Sequence, residues 1–261
     1  MEQSVTFSGW SNISSQPPGS VSLVGAGPGD PGLLTLVALR RLEEADAVFY
    51  DLLVDEAILK LAKHARMVCV GKRASTHTMA QAQIHAELVA AAQRSERVVR
   101  LKGGDPFMFG RGGEEIDALG DAGIKWEVVP GISAALGAAA SCGIPLTHRD
   151  HAQSCRFVTG HRRNGLSNLS WALHGDEDET LVIYMGIGEA SAIVEALLAA
   201  GRSPMTPVAV VENATRLSER CVRTVLSALP LTLKETGIKP PSLLFIGSIA
   251  GHYPKGELAS S

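Results

Sequence analysis

From Val21 onward, short β-branched apolar runs alternate with stretches in which apolar residues recur at helical spacing. That alternation is the mark of strands joined by crossover helices, and it predicts mainly parallel pairing. Strands are predicted at 21–24, 47–50, 67–70, 98–101 and 126–129, and again at 156–159, 180–184, 207–211 and 243–246. Two helices stand out. Ile84, Leu88 and Ala91 share one face, and Ala190, Ile193, Leu197 and Ala200 share another, with Gly201 placed to end the second helix. The alternation in 218–225 suggests an added antiparallel strand or hairpin.

Five predicted strands precede the small-residue segment 131–143, and at least four follow Asp150. The expected fold class is therefore α/β, with two α/β domains of mainly parallel sheet and a ligand cleft between them. An N-terminal domain is expected over 20–150 and a C-terminal one over 151–255. Residues 1–19, rich in Ser, Gln, Pro and Gly, read as a flexible extension, and 256–261 as a loose tail. With only about 20 residues before the first predicted strand and a few after the last, no further domain of the usual 50 or more residues is expected in these flanks. The run Asp176-Glu177-Asp178-Glu179 reads as a solvated acidic loop.

Composition narrows the class. At 261 residues and 45% hydrophobic content the chain can bury one large or two medium cores. A net charge of -3 gives no general attraction to nucleic acid or anionic membrane, so neither partner is expected. An acidic ligand would have to be met by clustered Arg, Lys and His. No window approaches the roughly 18 consecutive apolar residues of a membrane span, and the N-terminus lacks a signal peptide's basic start and apolar middle. Cys69, Cys142, Cys155 and Cys221 are scattered, without metal or redox spacing, and read as ordinary thiols in a reducing cytoplasm. No metal site is expected. His77, Met79 and Cys142 read as structural.

The chemistry collects just after the strands, where open α/β sheets bind ligands. Gly25-Ala26-Gly27-Pro28-Gly29-Asp30 follows the first predicted strand, Asp51 the second and Gly71-Lys72-Arg73 the third. Gly103-Gly104-Asp105 follows the fourth, and Pro130-Gly131-Ile132-Ser133 the fifth. The second half offers Gly160-His161-Arg162-Arg163, Met185-Gly186 and Glu212-Asn213-Ala214-Thr215. Five glycines in the eleven residues 103–113 let backbone amides and carbonyls approach a ligand. The first motif is not a dinucleotide fingerprint: Asp30 stands where its third glycine belongs, and it would repel a pyrophosphate. Asp30 and Asp105 suit a positively charged ligand instead.

These motifs, with Leu33-Leu34-Thr35, Tyr50-Asp51, the run 99–115 and Gly143-Ile144-Pro145-Leu146-Thr147-His148-Arg149-Asp150, closely resemble the uroporphyrinogen-III C-methyltransferases of the tetrapyrrole methylase superfamily. The resemblance runs from Val21 to about Gly247. It implies the tetrapyrrole methylase fold, a cytoplasmic homodimer, and methyl transfer from S-adenosyl-L-methionine to two pyrrole carbons of uroporphyrinogen III, giving precorrin-2 through precorrin-1. The cofactor residues it implies are Pro28, Gly103, Gly104, Asp105, Met108, Ser133, Ala134, Met185 and Ala214. Ser133 stands where the family commonly has Thr, Ala214 where it has Gly, Ser75 where it has Gly and His85 where it has Asn.

S-adenosylmethionine carries a sulfonium, an ammonium and a carboxylate, which backbone groups and one or two aspartates can hold without a phosphate cradle. Methyl transfer is accelerated mainly by alignment, and a positioned base must then remove a proton from the tetrapyrrole. Asp51 and Lys72 resemble the family's proton acceptor and donor; an ion pair that orders two loops is the other reading. Arg111 with Glu114 is a second candidate pair, open between a substrate role and a helix-start charge pair. Arg73, Arg111, His148, Arg149, His161 and Arg162 form the candidate set for the substrate's carboxylates. Other acceptors remain open: a later precorrin, an RNA or a protein, or none in a ligand sensor. So does the fate of the product in sirohaem, cobalamin or haem d1 synthesis.

Overall fold

The computed structural model describes residues 14–71, 80–160 and 178–252. The chain divides into two compact units, residues 1–27 with 31–131, and residues 28–30 with 132–261. The helical segment after Gly131, which strand counting assigned to the first domain, packs with the second unit.

In the first unit, β1 (Ser20–Gly25), β2 (Ala47–Tyr50), β3 (Arg66–Cys69), β4 (Arg97–Lys102) and β5 (Lys125–Val129) make one sheet in the order β3-β2-β4-β1-β5. Every pairing in it is parallel. Covered on both faces, such a sheet needs continuous apolar strands rather than alternating ones, and β1 is buried at all six positions. Leu42 of α1 (Leu36–Glu44) and Ile58 of α2 (Glu56–Leu59) pack on one face against Val24, Val48 and Leu101. Ile84 and Leu88 of α3 (Gln81–Gln93) and Leu119 of α4 (Gly112–Asp121) pack on the other, against Leu23 and Phe49. The predicted apolar face of α3 is thus the buried one. From β1 the chain crosses toward β2, and from β4 it crosses the other way, to β5. The switch point of the sheet therefore lies between β1 and β4, at the carboxyl edge where α/β folds bind ligands.

The second unit holds α5 (Ala134–Ser141), β6 (Ser154–Thr159), β7 (Glu179–Tyr184), α6 (Ala190–Ala199), β8 (Pro207–Glu212), β9 (Arg220–Val225), α7 (Leu229–Thr236), β10 (Ser242–Ile246) and α8 (Ile249–His252). Its sheet order is β6-β7-β10-β8-β9. β6 and β7 are parallel, whereas β10 runs antiparallel to both β7 and β8, and β9 antiparallel to β8. The predicted extra antiparallel strand is β9. Ile193 and Leu197 of α6 and Leu229 of α7 close the core over Leu181, Ile183 and Val210. Gly201 follows the cap of α6 at φ 90°, a conformation glycine adopts without a Cβ penalty.

Two expectations need correction. The extension is not loose up to Gly19: Gln16 is buried, its backbone N–H donating to Glu44 Oε2 at 3.0 Å and its side-chain amide to Val98 O and Ser20 O, each at 3.0 Å. A buried amide needs partners, and the start of β1 and the neighbouring β4 provide them. Nor does Glu179 belong to a solvated acidic run. It opens β7 as a buried carboxylate, 2.9 Å from Arg156 Nε and 3.8 Å from Arg202 Nη2. Residues 176 and 177 lie outside the described residues.

Arg41 of α1 is buried and donates through Nε to Glu127 Oε1 on β5, which also accepts from Ser22 Oγ at 2.6 Å. Burial works to raise the Glu127 carboxyl, but the Arg41 and Ser22 hydrogen bonds and the Arg41 charge outweigh it and hold it below the ordinary 4.5. A depressed carboxyl contributes stability that is present above its unfolded value and lost as pH falls through the folded one. Arg41→Met is expected to cost about 2 kcal/mol at neutral pH. In urea titrations of the variant and the parent protein, that difference should shrink as pH falls through the lowered folded value of Glu127, where the carboxylate is neutralised.

Candidate active site

The carboxyl edge of the first sheet is assembled almost without side chains where β1, β4 and β5 end. A Cβ on Gly25 would lie 2.5 Å from Gly131 N and 2.7 Å from Gly104 O, and one on Gly131 would collide with the same Gly104 oxygen. Gly27 and Gly104, at φ 74° and 71°, exchange hydrogen bonds in both directions, at 3.1 and 2.7 Å. This bridge ties β1 to β4 at the switch point. Asp105 follows it, one carboxylate oxygen accepting from Phe107 N at 2.9 Å and the other from Gly131 N at 3.1 Å. The loop is thus braced by its own carboxylate, which keeps further lone pairs for a cation. Met108, half-buried, closes the turn through its N–H to Asp105 O at 3.2 Å.

Beneath this loop lies a group of charges that the sequence reading passed over. Glu115, fully buried on α4, accepts from Arg100 Nε at 3.0 Å and from Lys102 Nζ at 3.0 and 3.1 Å. Arg100 also reaches Asp51 Oδ1 through Nη2 at 2.7 Å, and uses Nη1 on Phe49 O and Leu101 O at 3.3 and 3.1 Å. Gln81 of α3 donates to Glu115 Oε1 at 3.4 Å and meets His85 Nε2 at 3.0 Å. Burial lowers the Lys102 ammonium below 10.5, and the Arg100 charge adds to the effect against Glu115 and Asp51. For Arg100, burial is outweighed by Asp51 and Glu115, which raise it. A signal was available in the sequence: Arg100 and Lys102 alternate within an apolar run that is buried on both faces. Two cations pointing to one side of such a strand require counter-charges.

Asp51 therefore sits half-buried at the end of β2 with Arg100 as its partner. Lys72, Arg73, His161 and Arg162, like His77 and Met79, lie outside the described residues. Arg111 and Glu114 pair at the start of α4, with Arg111 Nε to Glu114 Oε1 at 2.9 Å and both side chains about half exposed. Glu114 raises Arg111 chiefly through that hydrogen bond.

In the second unit, β6, β7 and β8 run in one direction, so their carboxyl ends share an edge. Gly160 and Gly186 meet there, a Cβ on Gly160 falling 2.6 Å from Gly186 Cα. Met185 is half exposed at φ 53° and Ala214 is buried between Asn213 and Thr215, which are also left-handed, at 51° and 63°. Ser133, buried, spends its hydroxyl on Tyr184 Oη at 2.7 Å, and the same phenol accepts from Ala135 N at 3.1 Å, close behind Ala134 at the opening of α5. Pro28 lies where a Cβ on Gly137 would meet its ring, at 2.5 Å. His148 accepts from Asp150 N at 3.1 Å and lies 4.8 Å from the His151 ring, whereas Arg149 is exposed. Cys142 is buried against Glu219, 3.7 Å from its Oε1, and its thiol is raised by Cys221 and by burial.

Left-handed backbone at a residue other than glycine is costly and collects at functional sites. Among the described residues six such positions occur, and five of them, Phe109, Arg111, Met185, Asn213 and Thr215, follow β4, β7 or β8. Among the described residues no three His, Cys, Asp or Glu side chains gather as a metal site, and no helix is long and apolar enough to cross a membrane.

A parallel sheet with glycine-lined loops and a buried charge group at its carboxyl edge is the architecture of an α/β enzyme. The chain belongs to the Tetrapyrrole (Corrin/Porphyrin) Methylases, whose family pattern matches residues 20–230. It is 52% identical over 237 residues to siroheme synthase 3 of Aeromonas hydrophila, a match covering 90% of this chain and 50% of that protein. The chain thus spans about half the length of the curated relatives it matches. Uroporphyrin-III C-methyl transferase of Thermus thermophilus, solved with S-adenosyl homocysteine, superposes with a TM-score of 0.76 at 41% identity, covering 89% of this chain and 93% of that one. A cobalt precorrin-4 methyltransferase of cobalamin biosynthesis superposes with a TM-score of 0.78 at 28% identity, covering 88% and 95%.

The crowding at the glycine bridge can be checked by stability. Gly131→Ala is expected to lower stability by about 2–3 kcal/mol, because backbone must shift to admit the methyl group. Gly120→Ala on α4 meets nothing within 4 Å and should raise it by about 0.5–1 kcal/mol. Thermal unfolding of the two variants reads both effects.

Proposed function

We propose that the chain is a uroporphyrinogen-III C-methyltransferase that converts uroporphyrinogen III, through precorrin-1, into precorrin-2, as a homodimer in the cytoplasm. The observation that carries this reading is the 41% identity, over nearly the whole of both chains, to the Thermus thermophilus enzyme solved with S-adenosyl homocysteine.

The residues fit the methyl donor S-adenosyl-L-methionine. Gly103 and Gly104 bring backbone without side chains of its own to the end of β4, and the braced Asp105 carboxylate suits a sulfonium or ammonium group. Met108 in the first unit, and Pro28, Ser133, Ala134, Met185 and Ala214 in the second, complete the proposed cofactor set. When bound, the donor supplies an electrophilic methyl group. The chain's own residues then have three tasks. The strand ends hold the reactants in line, which accounts for much of the acceleration in a transfer of this kind. Asp51, held by Arg100, takes the proton released from the methylated pyrrole, with Lys72 as donor in the proposed pair. Arg111, His148 and Arg149, with Arg73, His161 and Arg162, meet the substrate's acetate and propionate groups, and Glu114 holds Arg111 in place.

Transfer of isotopically labelled methyl groups to uroporphyrinogen III by the purified protein tests the reading, with two groups expected per product. Label appearing only on a more highly methylated precorrin would favour the relative at 28% identity instead. Asp51→Asn should lower turnover about 100-fold or more while cofactor affinity, measured by calorimetry, stays within a factor of two or so. Full turnover in that variant would remove Asp51 from the mechanism.

A further inference from the structure

Among the described residues Glu115 is the most completely buried charged side chain of the first unit, and the mechanism above gives it no task. It lies on α4, remote in sequence from Asp51, yet both carboxylates hold the same guanidinium, Glu115 through Arg100 Nε and Asp51 through Arg100 Nη2. Lys102 bonds both oxygens of Glu115, so two carboxylates face two cations. Arg100 is 3% exposed and Glu115 fully buried, whereas Asp51 keeps 30% of its side chain open. Among the four charged members, Asp51 is thus the one open to solvent or ligand.

We propose that Glu115 is a positioning residue for proton removal: by sharing Arg100, it sets both the orientation of the Asp51 carboxylate and its readiness to accept a proton. The proposal rests on Asp51 as the proton acceptor. In the physics, Arg100 can be given to Asp51 wholly or in part. With Glu115 holding Arg100 Nε, half of the fork is engaged elsewhere and two carboxylates balance two cations. Without Glu115 the guanidinium serves Asp51 alone, and the carboxylate form is held more tightly. Without Lys102 the balance tips the other way, and protonation of Asp51 becomes easier. Among the described residues, uncharged Gln81 touches the cluster, with the His85 ring beyond it on α3. Lys72 follows β3, outside the described residues.

The two neighbours therefore predict shifts of opposite sign, which loss of structure alone does not produce. Glu115→Gln should move the acid limb of the kcat–pH profile down by about 1 pH unit and lower kcat about tenfold, with the KM for uroporphyrinogen III little changed. Lys102→Met should move the same limb up by a similar amount. The double variant, again balanced in charge, should return toward the parent profile. Carboxyl NMR of labelled Asp51 in the full chain without ligands should show the same pair of shifts, and thermal unfolding identifies any variant that has lost its fold. Opposite shifts in the NMR titration with a parent protein that transfers no methyl group would leave the coupling standing and overturn the functional reading. An Asp51 titration that Glu115→Gln leaves unmoved in a folded protein, or that both single variants move in the same direction, overturns the proposal.

Discussion

The first unit depends on one electrostatic constraint: a fully buried Glu115 that has to be matched by Arg100 and Lys102. Taking a carboxylate out of water costs several kcal/mol unless good hydrogen bonds surround it, and leaving one partner of such a pair alone costs about 3–5 kcal/mol. The match requires α4 to lie across β4 in one register. That register in turn fixes where α4 begins, and so where Arg111 and Glu114 stand. The same guanidinium reaches across to β2 and holds Asp51. A helix, the strand before it and the loop after the neighbouring strand are therefore located by a single set of opposed charges. Apolar packing on either face of the sheet could not do this alone, because it tolerates small slides that a bidentate contact does not.

Above the charges lies the complementary device, removal of side chains. Gly25, Gly104 and Gly131 bring three strand ends within backbone contact, and Gly160 with Gly186 does the same for two strand ends of the second unit. The charges underneath prevent sliding, and the glycines on top allow closeness. In the first unit the two together make an edge that is both bare and fixed.

Much of this could be read from the order of residues. Nine strands and the antiparallel addition were visible because a strand covered on both faces is a short continuous apolar run, and β2 spans the predicted 47–50. The direction of β10 was hidden: Leu243–Ile246 has the same apolar content whether it runs with its neighbours or against them, and only the pairing decides. The glycines and Asp105 of the loop were evident as a motif, and Asp51 from its place after a strand. What escaped was the partnership between them. Glu115 looked like one more acidic residue in the first turn of a helix, where such residues are ordinary. Its burial is a tertiary fact, betrayed only by the two cations on β4. Lys72, the supposed companion of Asp51, falls outside the described residues, while Arg100, a residue given no role, holds the contact.

Gln16 carries a consequence of another kind. By closing hydrogen bonds to Ser20 and Val98, it fastens the incoming chain at the amino edge of the first sheet, the edge opposite the loops that follow β1, β2 and β4. The chain thus enters the sheet at the end away from those loops, and the residues of the clasp, Gln16, Ser20 and Val98, are none of the residues that shape them.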